Sequence, residues 1–402
     1  MVHSPDITKR ILLRVNVPAF AIGAFEAAMG FAFTAFAAQS MGSAADANLL
    51  LFWFWMSLFI FELPTGYVVD RWGARGSLIC SLLLRSVAFG LYYWGQGSTI
   101  SLCVASVLAG LAVTFMSGLF STQIMVWSAQ LGTEVEASRM VRWVMLVRAG
   151  SLVIGSLLGY GTTLILGLDS VWLLCIAMAL LTAGYVYALW PQLQPLAKAT
   201  ISQHYRDCAR ELRRRKLWGD VLNISMVRTV SAAAMSNAAM VLVPALQKTP
   251  VLLLALQLLS GIVTLFAPKV SVHIEARPAW RDLMLWLFLP VLIILPLASG
   301  WPAWLFFTIM MVSALCAEMH YRHRFYEAID ASISGSAISI QGLVENALGA
   351  MTFALSWIFL LHVRPKDIWW LYAFLALSLA VVPLCMRSRT ATVGAIPTSN
   401  QS

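Results

Sequence analysis

The chain has 402 residues, of which 60% are hydrophobic and only 11% are charged, whereas an ordinary soluble protein carries about 25% charged residues. Its mean hydropathy of +0.79 leaves too little polar material to cover a water-soluble core, so much of the apolar surface must face lipid. The six cysteines form no Cys-x-x-Cys pair and no Cys/His cluster, which argues against a disulfide framework or a zinc site.

Twelve apolar segments follow one another along the chain, each close to the length of about 20 residues that a helix needs to cross a bilayer. The first six predicted spans are 15–37, 48–69, 77–95, 99–122, 143–166 and 171–190. The second six are 221–246, 251–267, 283–298, 302–318, 333–361 and 368–386. Over runs of this length only helices satisfy the backbone polar groups in lipid. The sequence therefore predicts an all-α membrane protein with twelve transmembrane helices, arranged as an N-terminal half at 1–190, a linker at 191–220 and a C-terminal half at 221–402.

Basic residues are distributed unevenly between the predicted loops. If both termini are cytoplasmic, 21 of the 27 Lys and Arg residues lie on the cytoplasmic side, three lie in external loops and three lie inside spans. Cytoplasmic loops carry an excess of Lys and Arg, so we expect a multi-pass protein of the cytoplasmic (inner) membrane with both termini in the cytoplasm. Topology then accounts for the net charge of +9, and we expect no nucleic acid partner.

The linker carries an apolar stripe on a basic segment. Ile201, Tyr205, Cys208 and Leu212 recur at helical spacing before the basic run 213–216. This pattern predicts an amphipathic helix that lies on the anionic cytoplasmic leaflet. A partner-binding or gating helix is the alternative.

The segment between the second and third spans, residues 61–75, reads FELPTGYVVDRWGAR. Gly73 is expected at the turn because it carries no Cβ. Asp70, at a helix end, can accept hydrogen bonds from backbone donors. Arg71 and Arg75 can pair with acids of neighbouring loops. A tight turn with cytoplasmic positive charge would account for the same residues without a functional role.

This segment resembles the first loop signature of the major facilitator superfamily, Gly-x-x-x-Asp-Arg-x-Gly-Arg-Arg. The matching residues are Gly66, Asp70, Arg71, Gly73 and Arg75. The resemblance implies the fold of that family, with two pseudo-symmetric six-helix halves around a substrate cavity. It also implies that the loop latches the halves in one state. The preceding Glu62 stands in a Glu-x-Pro-Thr-Gly lead-in similar to that of bacterial exporters in the superfamily, and we assign it to the same gating loop.

The fifth span is rich in glycine. Residues 148–161 resemble the glycine-rich motif of superfamily antiporters, with Ser156 where proline is usual. Gly155 and Gly159 are four residues apart, so they share a helix face and are expected to let another helix approach closely. The resemblance implies antiport, although tight packing alone would produce the same spacing.

Ionisable residues inside the spans are costly and are therefore candidates for functional sites. Glu26 and Glu345 lie near the middle of the first and eleventh spans, without an obvious partner in their own span. Because desolvation favours the neutral form of a carboxyl group, we expect Glu26 to be the main proton site and Glu345 the second. Arg148 and Arg228 are candidates for coupling or substrate binding, with structural ion pairs as the alternative. We expect Arg85 to be structural.

The sequence contains no nucleotide-binding loop, no HExxH motif and no credible nucleophile set, so we expect neither an enzyme nor a cofactor or metal site. The prediction is a monomeric secondary-active transporter in the lipid bilayer that exports a small organic molecule by proton antiport. Its substrate would be a drug-like compound or a secreted metabolite such as a siderophore. An uptake symporter for a sugar or organic acid is one alternative, and a non-transporting sensor or scaffold of the same fold is another.

Overall fold

The computed structural model is helical in the parts of the chain that it describes. These parts are residues 5–43, 45–117, 119–120, 124, 134–190, 201–242, 250–275, 287–327, 329 and 334–378. Some side chains within these ranges, among them those of the loop motif from Gly66 to Trp72 except Val68, are outside the description.

The predicted spans correspond to helices or to parts of helices. The first half contains α1 (Pro5–Met41), α2 (Asp46–Trp94), α3 (Thr99–Thr114), α4 (Glu134–Leu166) and α5 (Ser170–Leu189). The linker contains α6 (Ile201–Arg214). The second half contains α7 (Trp218–Leu242), α8 (Pro250–Glu275), α9 (287–294), α10 (Trp301–Glu327), α11 (Ser334–Leu360) and α12 (368–378). Helix α2 holds two predicted spans, so the two halves together supply the twelve.

Length and composition support membrane insertion. Within the described residues, 6 helices are long and apolar enough to cross a membrane, and α1 makes up to 7 if its bent parts form one span. Three shorter apolar helices, Thr99–Thr114, Val251–Phe266 and Leu287–Leu297, lie at further predicted spans. The chain is thus a multi-pass all-α membrane protein.

The break inside α2 lies at Gly73. Its backbone has φ 73° and ψ 167°, whereas the residues on both sides of it are helical. A side chain at positive φ would be strained, so the expected requirement for glycine at this turn is confirmed. The break divides α2 into two parts, Asp46–Thr65 and Gly73–Trp94, each long and apolar enough to cross a membrane.

The fourth predicted span, 99–122, differs from the observed helix, which ends at Thr114. The chain continues in tighter turns in which Met116 N–H donates to Val113 O (2.9 Å) and Ser117 N–H donates to Thr114 O (3.3 Å). The hydroxyl of Thr114 also bonds back to Leu111 O (2.7 Å). These turns carry Ser117 to the site described below.

Glycines of α4 give the close helix contact that their spacing predicts. A methyl group at Gly155 would overlap the backbone of Ala24 on α1, and one at Gly159 would lie 3.0 Å from the Cα of Ala28. The backbones of α1 and α4 therefore touch directly. This contact places Arg148, at the start of the same glycine-rich segment, beside the middle of α1.

The two halves pack mainly through two pairs of helices. Within the first half α1 packs on α4 and α5, and α2 packs on α3 and α5; within the second half α7 packs on α10 and α11. Between the halves, α2 lies against α11 and α4 lies against α8. Gly349 of α11 makes room for Trp55 of α2, since a methyl group at Gly349 would overlap the indole ring. The domain boundaries remain a prediction.

One position of the linker stripe packs against the protein itself, and the prediction that the helix lies on the cytoplasmic leaflet stays a prediction. Leu212 is fully buried and packs with Val221 of α7, Phe325 of α10 and Ile340 of α11. The end of the apolar stripe thus contacts the second half of the protein, because those helices offer it an apolar surface. The other stripe positions, Ile201, Tyr205 and Cys208, lie outside the described side chains.

Candidate functional site

Three helices of the first half bring together one acid and two arginines, which we call the first ion-pair cluster (Glu26, Arg85 and Arg148). Glu26 Oε1 lies 2.8 Å from Arg85 Nη2, and Glu26 Oε2 lies 2.8 Å from Arg148 Nη2. Arg85 is only 4% exposed, and its guanidinium lies 5.2 Å from the centroid of the Phe25 ring. Arg85 therefore serves as a buried counter-ion inside the half, consistent with the structural role expected for it.

Glu26 is paired, although its own span offers no partner, as expected. Sequence inspection considered each span separately, whereas both partners come from other helices, α2 and α4. Arg85 is the buried one of the two cations. The contact with Arg148 requires that α1 and α4 approach closely, and this approach depends on Gly23 of α1. A methyl group there would overlap Ser151 on α4. The tight α1–α4 contact thus delivers Arg148 to Glu26.

The second half contains a larger network, the second ion-pair cluster (Arg228, Glu318, Arg322, Gln341 and Glu345). Arg228 on α7 bonds through Nη1 to Glu318 Oε1 (3.0 Å) and through Nε to Glu345 Oε1. Arg322 Nε donates to Glu318 Oε1 (2.8 Å), and its Nη2 lies 3.6 Å from Glu345 Oε2. Gln341 Nε2 donates to Glu345 Oε2 (2.7 Å). Two acids and two arginines are balanced in this cluster.

Glu345 is therefore paired as well, again with arginines of other helices, and Gln341 of its own span donates a hydrogen bond to it. Sequence analysis missed Glu318 and Arg322, because Glu318 ends a predicted span and Arg322 was counted in a cytoplasmic loop. Their spacing of four residues at the end of an apolar run was a usable signal, since it places both side chains on one face of α10.

Glu62 occupies a distinct position at the contact between the halves. Ser117 Oγ donates to Glu62 Oε1 (2.8 Å), and that carboxylate oxygen lies 3.9 Å from the place a methyl group would take at Gly342 of α11. The charges of Glu62 and Glu345 repel each other across this contact. Among the side chains that the structure describes, no Lys or Arg forms a salt bridge with Glu62.

The gating loop is only partly described. The Arg75 guanidinium donates to the backbone oxygen of Tyr187 on α5 and lies 5.1 Å from the centroid of its ring. This contact holds the start of the third span against the sixth. The side chains of Gly66, Asp70 and Arg71 lie outside the described residues, so the latch role of the loop stays a prediction.

The halves also meet where α2 begins and α7 ends, through a buried polar cluster (Asn48, Asn237, Ser356 and Tyr372). Asn48 Nδ2 donates to Asn237 Oδ1 (2.8 Å), and Asn237 Nδ2 donates to Asn48 Oδ1 (2.9 Å). Tyr372 OH lies 2.6 Å from Asn237 Nδ2 and 3.1 Å from Ser356 Oγ. Buried amides require such partners, so this contact is specific and not only apolar.

Two further hydrogen bonds join the halves at the same end. Thr34 Oγ1 donates to Ser236 O (3.2 Å), and Trp357 Nε1 donates to Asp46 Oδ1 (3.3 Å). Sequence inspection missed this polar region, because Asn and Ser near the ends of apolar runs are common and give no signal of pairing between distant helices.

Solved structures of transporters share this arrangement of helices. A D-xylose–proton symporter superposes with a TM-score of 0.69 at 13% identity, covering 94% of this chain and 97% of the other. The nucleoside transporter NupG gives a TM-score of 0.69 at 12% identity, covering 94% and 98%. The POT family transporter PepTSo gives 0.72 at 11% identity, covering 96% and 98%. At such identities the likeness establishes the fold.

The family follows from a comparison of sequences. No curated relative matches the chain, but the family model described as Major Facilitator Superfamily matches residues 18–354, most of the length. Together with the twelve-helix fold in two halves, this match confirms the family suggested by the loop motif. The chain belongs to the Major Facilitator Superfamily and is a multi-pass membrane transporter of that kind.

Proposed function

We propose that the chain is a secondary-active exporter that moves a small organic molecule out of the cell in exchange for protons. Its substrate would enter between the two halves, beside the two ion-pair clusters. We place the protein in the cytoplasmic membrane as a monomer with both termini in the cytoplasm, on the strength of the 21-to-3 distribution of basic residues.

The coupling proposal depends chiefly on Glu62. A carboxylate is costly in a membrane-embedded bundle unless a cation pairs with it. No described Lys or Arg side chain forms a salt bridge with Glu62, and its charge is repelled by that of Glu345 on the neighbouring helix α11. Binding of a proton removes this repulsion and favours contact between the halves, whereas its release favours their separation. Proton occupancy thus biases the conformational equilibrium, which is the requirement for coupled transport.

Glu26 remains a second candidate for the proton site. Its carboxylate already interacts with two guanidinium groups, so protonation would leave both cations without their counter-ion. This makes Glu26 less suited to titrate during transport than Glu62. Glu345 is paired with Arg228 and accepts a hydrogen bond from Gln341. These contacts stabilise its negative charge, which repels the carboxylate of Glu62.

The export direction has separate support. The lead-in with Glu62 is similar to that of exporters in the superfamily, and residues 148–161 resemble the antiporter motif. The polar cluster around Asn48 and Asn237 would form the external closure of the cavity. Alternating access requires that this closure open once per cycle.

Inside-out membrane vesicles test this proposal. An acid interior should drive uptake of fluorescent organic dyes, with carboxyfluorescein as the anionic probe and ethidium as the cationic probe. Glu62→Gln should abolish accumulation of dye against its concentration gradient while keeping downhill exchange, because a glutamine side chain cannot bind and release a proton.

Glu211→Gln is the matched control. Glu211 lies on α6, where hydrogen bonds from Arg215 and Arg214 lower the pKa of its carboxyl, and its loss should leave uphill transport intact. If Glu62→Gln still accumulates dye at the native rate and Glu26→Gln does not, the proton site is Glu26. Accumulation in the same direction as the proton flow would establish symport instead.

A further inference from the structure

Arg228 faces a space inside the bundle. Of residues 218–242 on α7, only Arg228 is exposed, and 48% of its side chain is accessible. Its neighbours Val227 and Thr229 are buried. Helices that face the lipid expose large apolar residues, such as Leu157 and Leu158 of α4, and α7 exposes none. The opening beside Arg228 therefore lies within the protein.

Arg148 lies on the opposite half of the protein, on α4, and is also partly accessible. Its side chain is 39% exposed, and the charges of the two arginines repel each other. Guanidinium groups do not lose their proton in proteins, so this repulsion persists at any physiological pH. Two cations on separate halves are thus held with partly accessible donors in a low-dielectric region, which is costly unless an anion lies between them.

The charge balance of the clusters has the same consequence. In the first ion-pair cluster a single acid, Glu26, serves both Arg85 and Arg148, so one positive charge is not compensated by the described side chains of the cluster. Arg85 is buried, so the accessible part of this excess is on Arg148. The second cluster is balanced, with Arg228 and Arg322 against two glutamates. The excess positive charge is therefore located at Arg148, whereas the one acid of this region without a described cation, Glu62, lies at the contact between α2 and α11. An anion is accordingly favoured beside Arg148.

We propose that Arg148 and Arg228 together bind the anionic group, a carboxylate or a phosphate, of the transported molecule. Arg148 bonds to Glu26 through one Nη atom, and Arg228 uses Nε and Nη1 for Glu345 and Glu318. Each guanidinium therefore retains further N–H donors for a ligand. Planar guanidinium donors match the oxygen geometry of carboxylates and phosphates.

An anion held by one residue from each half would also favour closure of the halves around it, because its charge offsets the repulsion between Arg148 and Arg228. This assignment of substrate class rests on the proposed transport function, but binding can be measured without any gradient. The two proposals can therefore fail independently.

The test measures binding to the purified full-length chain in lipid nanodiscs. The probes are benzoate and phenyl phosphate as the two anion arms, with benzamide and benzyl alcohol as neutral compounds of similar shape and benzylammonium as the cation. Thermal shift and equilibrium dialysis should show binding of at least one anion arm and markedly weaker binding of the neutral and cationic compounds. The arm that binds more tightly identifies the headgroup.

Variants connect this binding to the two arginines. Arg148→Gln should weaken anion binding by about 10-fold or more, the effect expected for loss of a charge-assisted hydrogen bond. Arg228→Lys should weaken it to a smaller but measurable extent, because lysine keeps the charge and loses the planar pair of N–H donors. Arg148→Lys keeps the charge and should recover part of the affinity. Arg364→Gln is the control, since Arg364 is an exposed residue paired with Asp367, and it should bind as the native chain does.

Three outcomes would overturn the proposal. One is equal binding of anions and their neutral counterparts, or none by any probe. Another is native anion affinity in both Arg148→Gln and Arg228→Lys. A third is proton-driven transport of ethidium but not of carboxyfluorescein, which would refute the anion site while leaving the proposed function standing. Anion binding without proton-driven transport would refute only the proposed function.

Discussion

The contact between Asn48 and Asn237 offers the most direct test of alternating access in this chain. Asn237→Ala removes both hydrogen bonds of the reciprocal pair, which measure 2.8 and 2.9 Å. A buried hydrogen bond contributes about 1 kcal/mol net, so the closed state should lose about 2 kcal/mol relative to the open state, in which water replaces the lost partner. This corresponds to a roughly 30-fold shift toward the open state.

A cysteine at position 34 reports this shift. Thr34 is 7% exposed and bonds across the halves to Ser236 O, so Thr34→Cys should react slowly with an impermeant maleimide while the halves touch. In a background without the six native cysteines, added Asn237→Ala should raise the reaction rate by roughly 30-fold, since the rate follows the open population.

Ser356→Ala provides the control. Ser356 bonds to Tyr372 in the same half, so its removal weakens the polar cluster without breaking a bond between the halves. The labelling rate should change by less than about twofold, because this substitution should leave the free-energy difference between the open and closed states unchanged. An unchanged rate in Asn237→Ala, or an equal rise in Ser356→Ala, would refute the reasoning.

Three further predictions concern packing, the loop and topology. Gly155→Ala should destabilise the chain by about 1–3 kcal/mol through overpacking against α1 and lower the melting temperature in detergent, whereas Gly161→Ala, with nothing within 4 Å of the added methyl group, should not. Asp70→Asn should sharply reduce transport in vesicles while membrane insertion is normal; full activity would mean that the motif is only a turn. Ser43→Cys should react with an impermeant thiol reagent on intact cells, because the loop after the first span is predicted to be external. Reaction only after permeabilisation would contradict this orientation.

The fold was predictable because lipid imposes a one-dimensional constraint. Each span must supply its own backbone hydrogen bonds and an apolar surface over a fixed length, so hydropathy along the chain predicts the spans without knowledge of tertiary contacts. The turn at Gly73 and the close contact at Gly155 were also predictable, because a missing side chain has a local steric meaning. The end of α3 at Thr114 was not, because an apolar run continues beyond the helix.

The partners of the charged residues were not predictable by the same means. Glu26 and Arg148 are separated by 122 positions, and Arg228 and Glu318 by 90. Their pairing depends on the rotation of each helix about its axis and on which helices are neighbours, and hydropathy specifies neither. The depth of a charged residue within a span could be predicted from the sequence. The oppositely charged residues that pair with it could be identified only from the positions of the helices in the folded protein.

The charges that surround each acid determine how readily that acid can bind a proton. A carboxylate that neutralises two guanidinium groups, as Glu26 does, stabilises the bundle as an anion, and protonation would uncover buried positive charge of the kind that destabilises a protein by about 3–5 kcal/mol. Glu62 presents the opposite case: it accepts one hydrogen bond from Ser117 and is repelled by Glu345, so a proton relieves strain at the contact between the halves. Depth alone favoured Glu26, whereas the balance of charge around each acid favours Glu62, so the coupling site that we propose lies at the contact between α2 and α11.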